Sequence, residues 1–244
     1  MPTKAVFRYV NEPQKLKFAT SQCLLTVSVG QEVHEGEKFE STIELINQHF
    51  DSCILLVDDS LQRHTMALDQ LENADFFYDA SMTAGDAWLE RNEKYYRKLT
   101  SLKKILRWDV WLKHPRYQET KCTIQNELST DSEYHEAFSD TVGEFLRRYI
   151  PRANAQHFNV DRAKQLCEDY LLEECTALCL WHETGSHFEV YPSKRNQAMT
   201  KTHEKFILPH NPALLHSVGI KFKNRKQLKP QNFDFSKITE NMEN

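Results

Sequence analysis

The chain lacks most of the patterns that announce a nucleotide, a metal or a membrane. It has six glycines in 244 residues, and none lies in a G-x-G-x-x-G or Walker A pattern, so the glycine-rich phosphate cradle of a dinucleotide or ATP site is excluded. Its six cysteines, at positions 23, 53, 122, 167, 175 and 179, form no C-x-x-C pair. No apolar run reaches membrane-spanning length, and no signal-peptide pattern is present. Reduced thiols, no metal, no membrane contact and a cytoplasmic location are therefore expected. There is no internal repeat or low-complexity segment. What is there is enough for one sizeable core, with 40% hydrophobic residues. A single domain over residues 1–230 with a polar tail over 231–244 is expected. The formal charge is −4, yet basic residues crowd 91–107 and 221–229, so net charge understates local attraction for an anion.

The run Cys23-Leu24-Leu25-Thr26-Val27-Ser28-Val29-Gly30 reads as a buried strand with Ser28 at its carboxyl end. In open α/β sheets ligands bind at that edge. Ser28 is there either a nucleophile or a turn serine that caps the next helix. The loop through His34-Glu35-Gly36 reads as solvated and leads to a helix marked by Phe39, Ile43, Ile46 and Phe50. A second run, Cys53 to Val57, ends in Asp58-Asp59-Ser60, where the aspartates suit helix capping or loop hydrogen bonding better than a metal. With a short strand around Ala5–Tyr9, this order predicts an α/β, Rossmann-like fold: a mostly parallel central sheet flanked by helices.

Trp88, Tyr95, Leu99, Leu102 and Leu106 recur at helical intervals, so residues 83–112 read as a helix with an apolar stripe. Arg91, Lys94, Arg97, Lys98 and Lys104 would then form a basic ridge, either a solvated face or a contact for a polyanion such as RNA. Residues 117–135 read as an exposed connection, and Phe138–Tyr149 as an amphipathic helix. A long helix from Asp161 to Trp181 carries an apolar stripe through Leu166, Tyr170 and Leu178, and Glu174 falls on it. A carboxylate on such a stripe is either functional or paired with a cation. Phe188 to Tyr191 reads as a strand that Pro192 ends. The basic tail at Lys221, Lys223, Arg225, Lys226 and Lys229 reads as a disordered solvated segment or a second polyanion contact.

These segments together resemble the tRNA-dependent cyclodipeptide synthases, relatives of the class I aminoacyl-tRNA synthetase catalytic domain. The resemblance rests on Ser28, on Tyr170-Leu171-Leu172-Glu173-Glu174 as a Tyr-x-x-x-Glu helix motif, and on Val190-Tyr191-Pro192. Gln31 stands where one subfamily has asparagine, so the chain is similar to the other, whose signature ends in Tyr-Pro. The resemblance implies Ser28 as nucleophile, Tyr170 and Glu174 as its helix partners, and Tyr191 as a proton relay. It implies two aminoacyl-tRNAs as substrates, with the acceptor arm on the basic helix, no cofactor, and a monomer. The product is a cyclic dipeptide, a 2,5-diketopiperazine, formed by ping-pong catalysis through an aminoacyl-serine and a dipeptidyl-serine. No histidine base for Ser28 is evident.

Strand parity adds an expectation about the substrate pocket. Leu24 and Thr26 share the face of Ser28, and Glu189 shares that of Tyr191, so these three, with Gln31 and Pro192, would line it. A small or polar first residue follows. Two other classes fit parts of the pattern: a non-catalytic RNA-binding Rossmann domain, and a serine hydrolase, whose G-x-S-x-G elbow is incomplete at Thr26-Val27-Ser28-Val29-Gly30.

Overall fold

The computed structural model describes residues 3–153 and 158–224. In chain order the main elements are β1 (Thr3–Arg8), α1 (Glu12–Lys15), β2 (Gln22–Ser28), α2 (Gly36–His49), β3 (Ser52–Asp58), α3 (Arg63–Met66) and α4 (Tyr78–Tyr96). Then come β4 (Leu102–Arg107), α5 (Asp109–Leu112), α6 (Tyr117–Thr130), α7 (Ser132–Tyr149), α8 (Val160–Trp181), β5 (Phe188–Tyr191), α9 (Gln197–Thr202) and β6 (His216–Asn224). The strands form one sheet in the order β1-β6-β5-β2-β3-β4. Among the described residues only the pair β1 and β6 is antiparallel; the other pairs are parallel.

Alternation along the central strands divides the core in two, because successive side chains leave a strand on opposite faces. Leu24, Ile54 and Leu56 join the layer of α6, α7 and α8, with Ile124, Val142 and Trp181. Leu25, Val27, Leu55 and Val57 join the layer of α2 and α4, with Phe39, Ile46 and Trp88. Both faces of β2 and β3 are therefore covered, as a parallel sheet requires. At their carboxyl tips the polar Ser28 and Asp58 face each other in register.

Two expectations are corrected. Residues 83–112 are not one helix: α4 stops at Tyr96, and 102–107 form edge strand β4 beside β3. Leu99, Leu102 and Leu106 fit the helical period, but the open edge of β3 offers a ladder of backbone hydrogen bonds, starting with Cys53 N–H donating to the Ser101 carbonyl at 2.9 Å. An edge strand also leaves Lys103 and Lys104 in solvent. Residues 117–135 are not an exposed connection. They form α6 and the start of α7, whose first N–H groups donate to the Asp131 side chain from Glu133 at 2.9 Å and Tyr134 at 3.0 Å. The apolar face of α6 is narrow, chiefly Tyr117, Ile124 and Leu128, and so too sparse for its period to stand out. Of the basic tail, Lys221 and Lys223 alternate with Ile220 and Phe222 in β6; Arg225, Lys226, Lys229 and 231–244 lie outside the described residues.

Candidate active site

Three parallel strands deliver their last residues to one point: Ser28 from β2, Asp58 from β3 and Tyr191 from β5. The Ser28 hydroxyl lies 3.2 Å from the Tyr191 hydroxyl and donates to Asp58 Oδ2 at 3.3 Å. Beyond Ser28 the chain turns back through Gly30, at φ +84°, where a side chain would be strained. The turn aims Gln31 and then His34 back toward the strand tip. His34 Nδ1 accepts from the Ser28 backbone N–H at 2.9 Å, and its ring lies 5.4 Å from that of Tyr191. Trp88 of α4 donates from Nε1 to the His34 carbonyl at 3.1 Å. Burial pushes the His34 imidazole down to about 4, so it is neutral. The loop 31–36 is thus packed at His34 rather than solvated, because Trp88 and Tyr191 come from distant parts of the chain.

Ser28 opens onto a cavity of about 210 Å³. Tyr170 and Glu174, one turn apart on α8, line it with Gln31, Tyr191 and Asn196. α7 adds Val142, Phe145 and Arg148. Glu174 accepts from the Asn196 amide at 3.4 Å. Burial first, and the charge of Glu189 second, push Glu174 up to about 8, against the pull of Asn196 and Arg195. The same burial drives Tyr191 up to about 12 and Tyr170 well above the usual phenol range. The site therefore gathers acids and holds protons. A positive group entering it would be bound by Glu174 as a carboxylate.

No family model matches the chain, and no curated protein matches it. Among solved structures, a cyclodipeptide synthase from Fluoribacter dumoffii is 41% identical over 91% of this chain and 99% of its own, with a TM-score of 0.86. The chain belongs to the cyclodipeptide synthase family. A cyclodipeptide synthase from Candidatus Glomeribacter gigasporarum, bound to Phe-tRNAPhe, shares the fold at 15% identity and a TM-score of 0.70, over 87% of this chain and 92% of that one. So does a Mycobacterium tuberculosis protein said to relate such enzymes to type I tRNA synthetases, at 13% identity and a TM-score of 0.53, over 91% and 93%.

In this cyclodipeptide synthase chain the two consecutive glutamates of α8 have opposite environments. Burial would raise Glu173, but His64 and Arg63 overcome that and hold it at about 2. Arg63 donates to its two oxygens at 2.8 and 2.5 Å, and Trp108 Nε1 donates at 2.8 Å. Glu173 is thus a buried anchor for α8, and Glu174 faces the cavity. Of the expected aspartate roles, Asp59 takes the capping one, accepting from Ser60 N–H at 2.7 Å and pairing with Arg107. Asp58 instead touches Ser28. Its place was hidden in the sequence because it depends on the β2–β3 register. Among the described residues no group of three or more His, Cys, Asp or Glu is placed to hold a metal, and no helix is long and apolar enough to cross a membrane.

The other expected contacts are only partly assembled. Leu24, Thr26, Glu189 and Pro192 do not line the cavity. Leu24 and Thr26 lie back along β2 under the sheet's helical cover, and Glu189 sits opposite Leu24 in register. Glu189 is 4% exposed and accepts from Arg195 Nε at 2.9 Å. Parity placed these side chains on the right face but not at the tip, so the expectation of a small or polar first residue loses its premise. The basic ridge also divides. Arg91 donates to Glu35 at 2.9 Å, Arg97 to Glu93 at 2.9 Å, and Lys98 to Glu40. Lys94 lies over the Tyr95 ring at 4.9 Å, and Lys104 is on β4. Glu35 and Glu40 belong to the approach and first turns of α2, so their charges were invisible to a reading of 83–112 alone.

Proposed function

We propose that this chain joins the aminoacyl groups of two aminoacyl-tRNAs into a cyclic dipeptide, a 2,5-diketopiperazine, with Ser28 as covalent nucleophile. The observation that carries the reading is the pairing of a strand-tip hydroxyl with a carboxyl group, Glu174, that faces the same cavity and hydrogen-bonds a neutral amide. Arg195, whose charge it feels, is held by Glu189. An α-ammonium group supplies the counter-charge that Glu174 lacks. The ester of a charged tRNA is already activated, so acyl transfer needs no ATP.

In the first half-reaction the Ser28 oxygen bonds the carbonyl carbon of the first ester, and the ribose oxygen leaves. Glu174 holds the ammonium group of the seryl-bound residue and then takes its proton. The freed amine attacks the second tRNA ester, which gives a dipeptidyl-serine and a second free tRNA. The amine of the new terminal residue attacks the seryl ester, closes the ring and releases Ser28. Tyr170 and Tyr191 add hydrogen bonds along this path. Membership of the Tyr-Pro subfamily is supported by Tyr191-Pro192 and by Gln31. α4 and β4 are the proposed contact for tRNA phosphates, supported by exposed Lys94 and Lys104. Mass spectrometry of the medium after expression in a bacterium tests the reading: a new diketopiperazine supports it. A chain that binds tRNA yet yields no product is an RNA-binding module instead.

A further inference from the structure

Ser28 needs a proton acceptor within hydrogen-bond reach to become a nucleophile. Two side chains bond its hydroxyl, Tyr191 at 3.2 Å and Asp58 at 3.3 Å. The phenol, pushed up to about 12, is a donor and holds its own proton. His34 is spent on the Ser28 backbone and is neutral. Glu174 makes its described bond to Asn196. Asp58 remains. It is 5% exposed, it lies beside Ser28 in strand register, and its Oδ1 is buried without a hydrogen-bond partner among the described residues. A carboxyl group kept there for packing alone costs stability that an apolar side chain would not.

We infer that Asp58 is the catalytic proton acceptor of Ser28, taking the hydroxyl proton at acylation and serving the same oxygen again when the ring closes; this rests on the covalent reading above. Each step balances. As the bond from Ser28 Oγ to the carbonyl carbon forms, the Oγ proton passes to the Asp58 carboxylate. The bond from that carbon to the ribose oxygen breaks, and Asp58 hands the proton to the ribose oxygen, which leaves as a hydroxyl, while the ammonium group of the residue stays with Glu174. At cyclisation the terminal amine bonds the seryl carbonyl carbon, the seryl ester bond breaks, and the proton that the amine loses passes through Asp58 to Oγ.

The groups that face Asp58 are acids: Glu174 and Tyr170 from α8, Glu189 and Tyr191 from β5, and Asp59 beside it. Burial first, then the charge of Glu174, drives Asp58 well above the usual carboxylate range. Ionisation is favoured when a substrate ammonium group enters next to Glu174, and free carboxylate is a strong base once formed.

Single-turnover transfer of label from a radiolabelled aminoacyl-tRNA to the protein tests this across about pH 6 to 9. In the wild type the rate should rise with pH along a limb displaced above ordinary carboxylates. Asp58→Asn should slow transfer by about 10²-fold or more, leave tRNA binding unchanged and make the rise with pH shallower, leaving only the part that Glu174 contributes, while Asp58→Glu recovers part of the rate. An Asn variant within about threefold of wild type, or one slowed with the wild-type pH profile unchanged, overturns the inference and makes Asp58 a positioning group at most. Circular dichroism checks folding. If the Asn variant is unfolded, Asp58→Glu decides: a shifted limb supports the inference, and an unmoved one overturns it. A wild type that takes no label at all refutes the covalent reading itself, which is a different result from labelled wild type with an indifferent Asp58.

Discussion

Glu174 shows how one buried carboxyl group ties stability to the proposed chemistry. In the folded chain it holds its proton up to about 8, whereas in the unfolded chain it ionises in the ordinary carboxylate range. Between those values the folded state binds more protons than the unfolded state, so stability falls as pH rises through that window and levels off above it. Glu174→Gln removes the titration and keeps the shape. Thermal unfolding should therefore show the melting temperature of the wild type declining between about pH 5 and pH 8 relative to that of the variant. Asp58 is raised in both proteins by burial, and less in the variant, which lacks the charge of Glu174, so the difference reports Glu174 together with its effect on Asp58. Turnover of the variant should drop about 10²-fold or more, because a neutral amide neither anchors an ammonium group nor takes its proton. Unchanged turnover with the predicted stability profile would make Glu174 structural. The sequence placed Glu174 on the buried stripe of its helix, but it gave no sign that Glu173 beside it is also buried and held as an anion. Their difference is made by Arg63, His64 and Trp108, which arrive from 65 to 110 residues away.

At the scale of elements, α4 works on both sides. Its buried Trp88 holds the loop that supports Ser28, donating to the His34 carbonyl at 3.1 Å. Trp88→Phe keeps most of the ring but strands that carbonyl, which should cost about 1 to 3 kcal/mol by denaturant unfolding and lower turnover through a looser Ser28. On its outer side the proposed interaction with tRNA is electrostatic. Replacing Arg91, Lys94 and Lys98 with alanine should weaken tRNA binding and flatten its salt dependence, by roughly one unit of log-log slope for each phosphate that is no longer neutralised. Arg91 and Lys98 already hold Glu35 and Glu40, so the change in slope should fall below that of three free cations. Equal affinity and slope in the triple variant would remove α4 from the tRNA-binding surface. Periodicity read α2, α7 and α8 well, since each carries a regular buried stripe. It failed at β4, where a neighbouring strand edge outweighs the helical period, and at α6, whose buried face is sparse.

For the whole molecule, what was legible is the part that depends on nearest neighbours in sequence: apolar runs for β2 and β3, their polar ends, and the parallel order with helices on both faces. The site itself is a product of topology. Ser28, Asp58 and Tyr191 meet because β2 lies between β3 and β5 in the sheet, an order that no local pattern states, and the motif residues Ser28, Tyr170, Glu174 and Tyr191 come together at one cavity for the same reason. Leu24, Thr26 and Glu189 were read from the right faces of the right strands, yet they lie below the tips. The central claim is that Ser28 carries the substrate. It is tested by mixing the protein with one radiolabelled aminoacyl-tRNA, quenching in acid, digesting, and locating the label by mass spectrometry. The expected result is an aminoacyl ester on the peptide that contains Ser28, chased into cyclic dipeptide by a second aminoacyl-tRNA and absent from Ser28→Ala, which should make no product. Label on another residue, or cyclic dipeptide from Ser28→Ala, would contradict it.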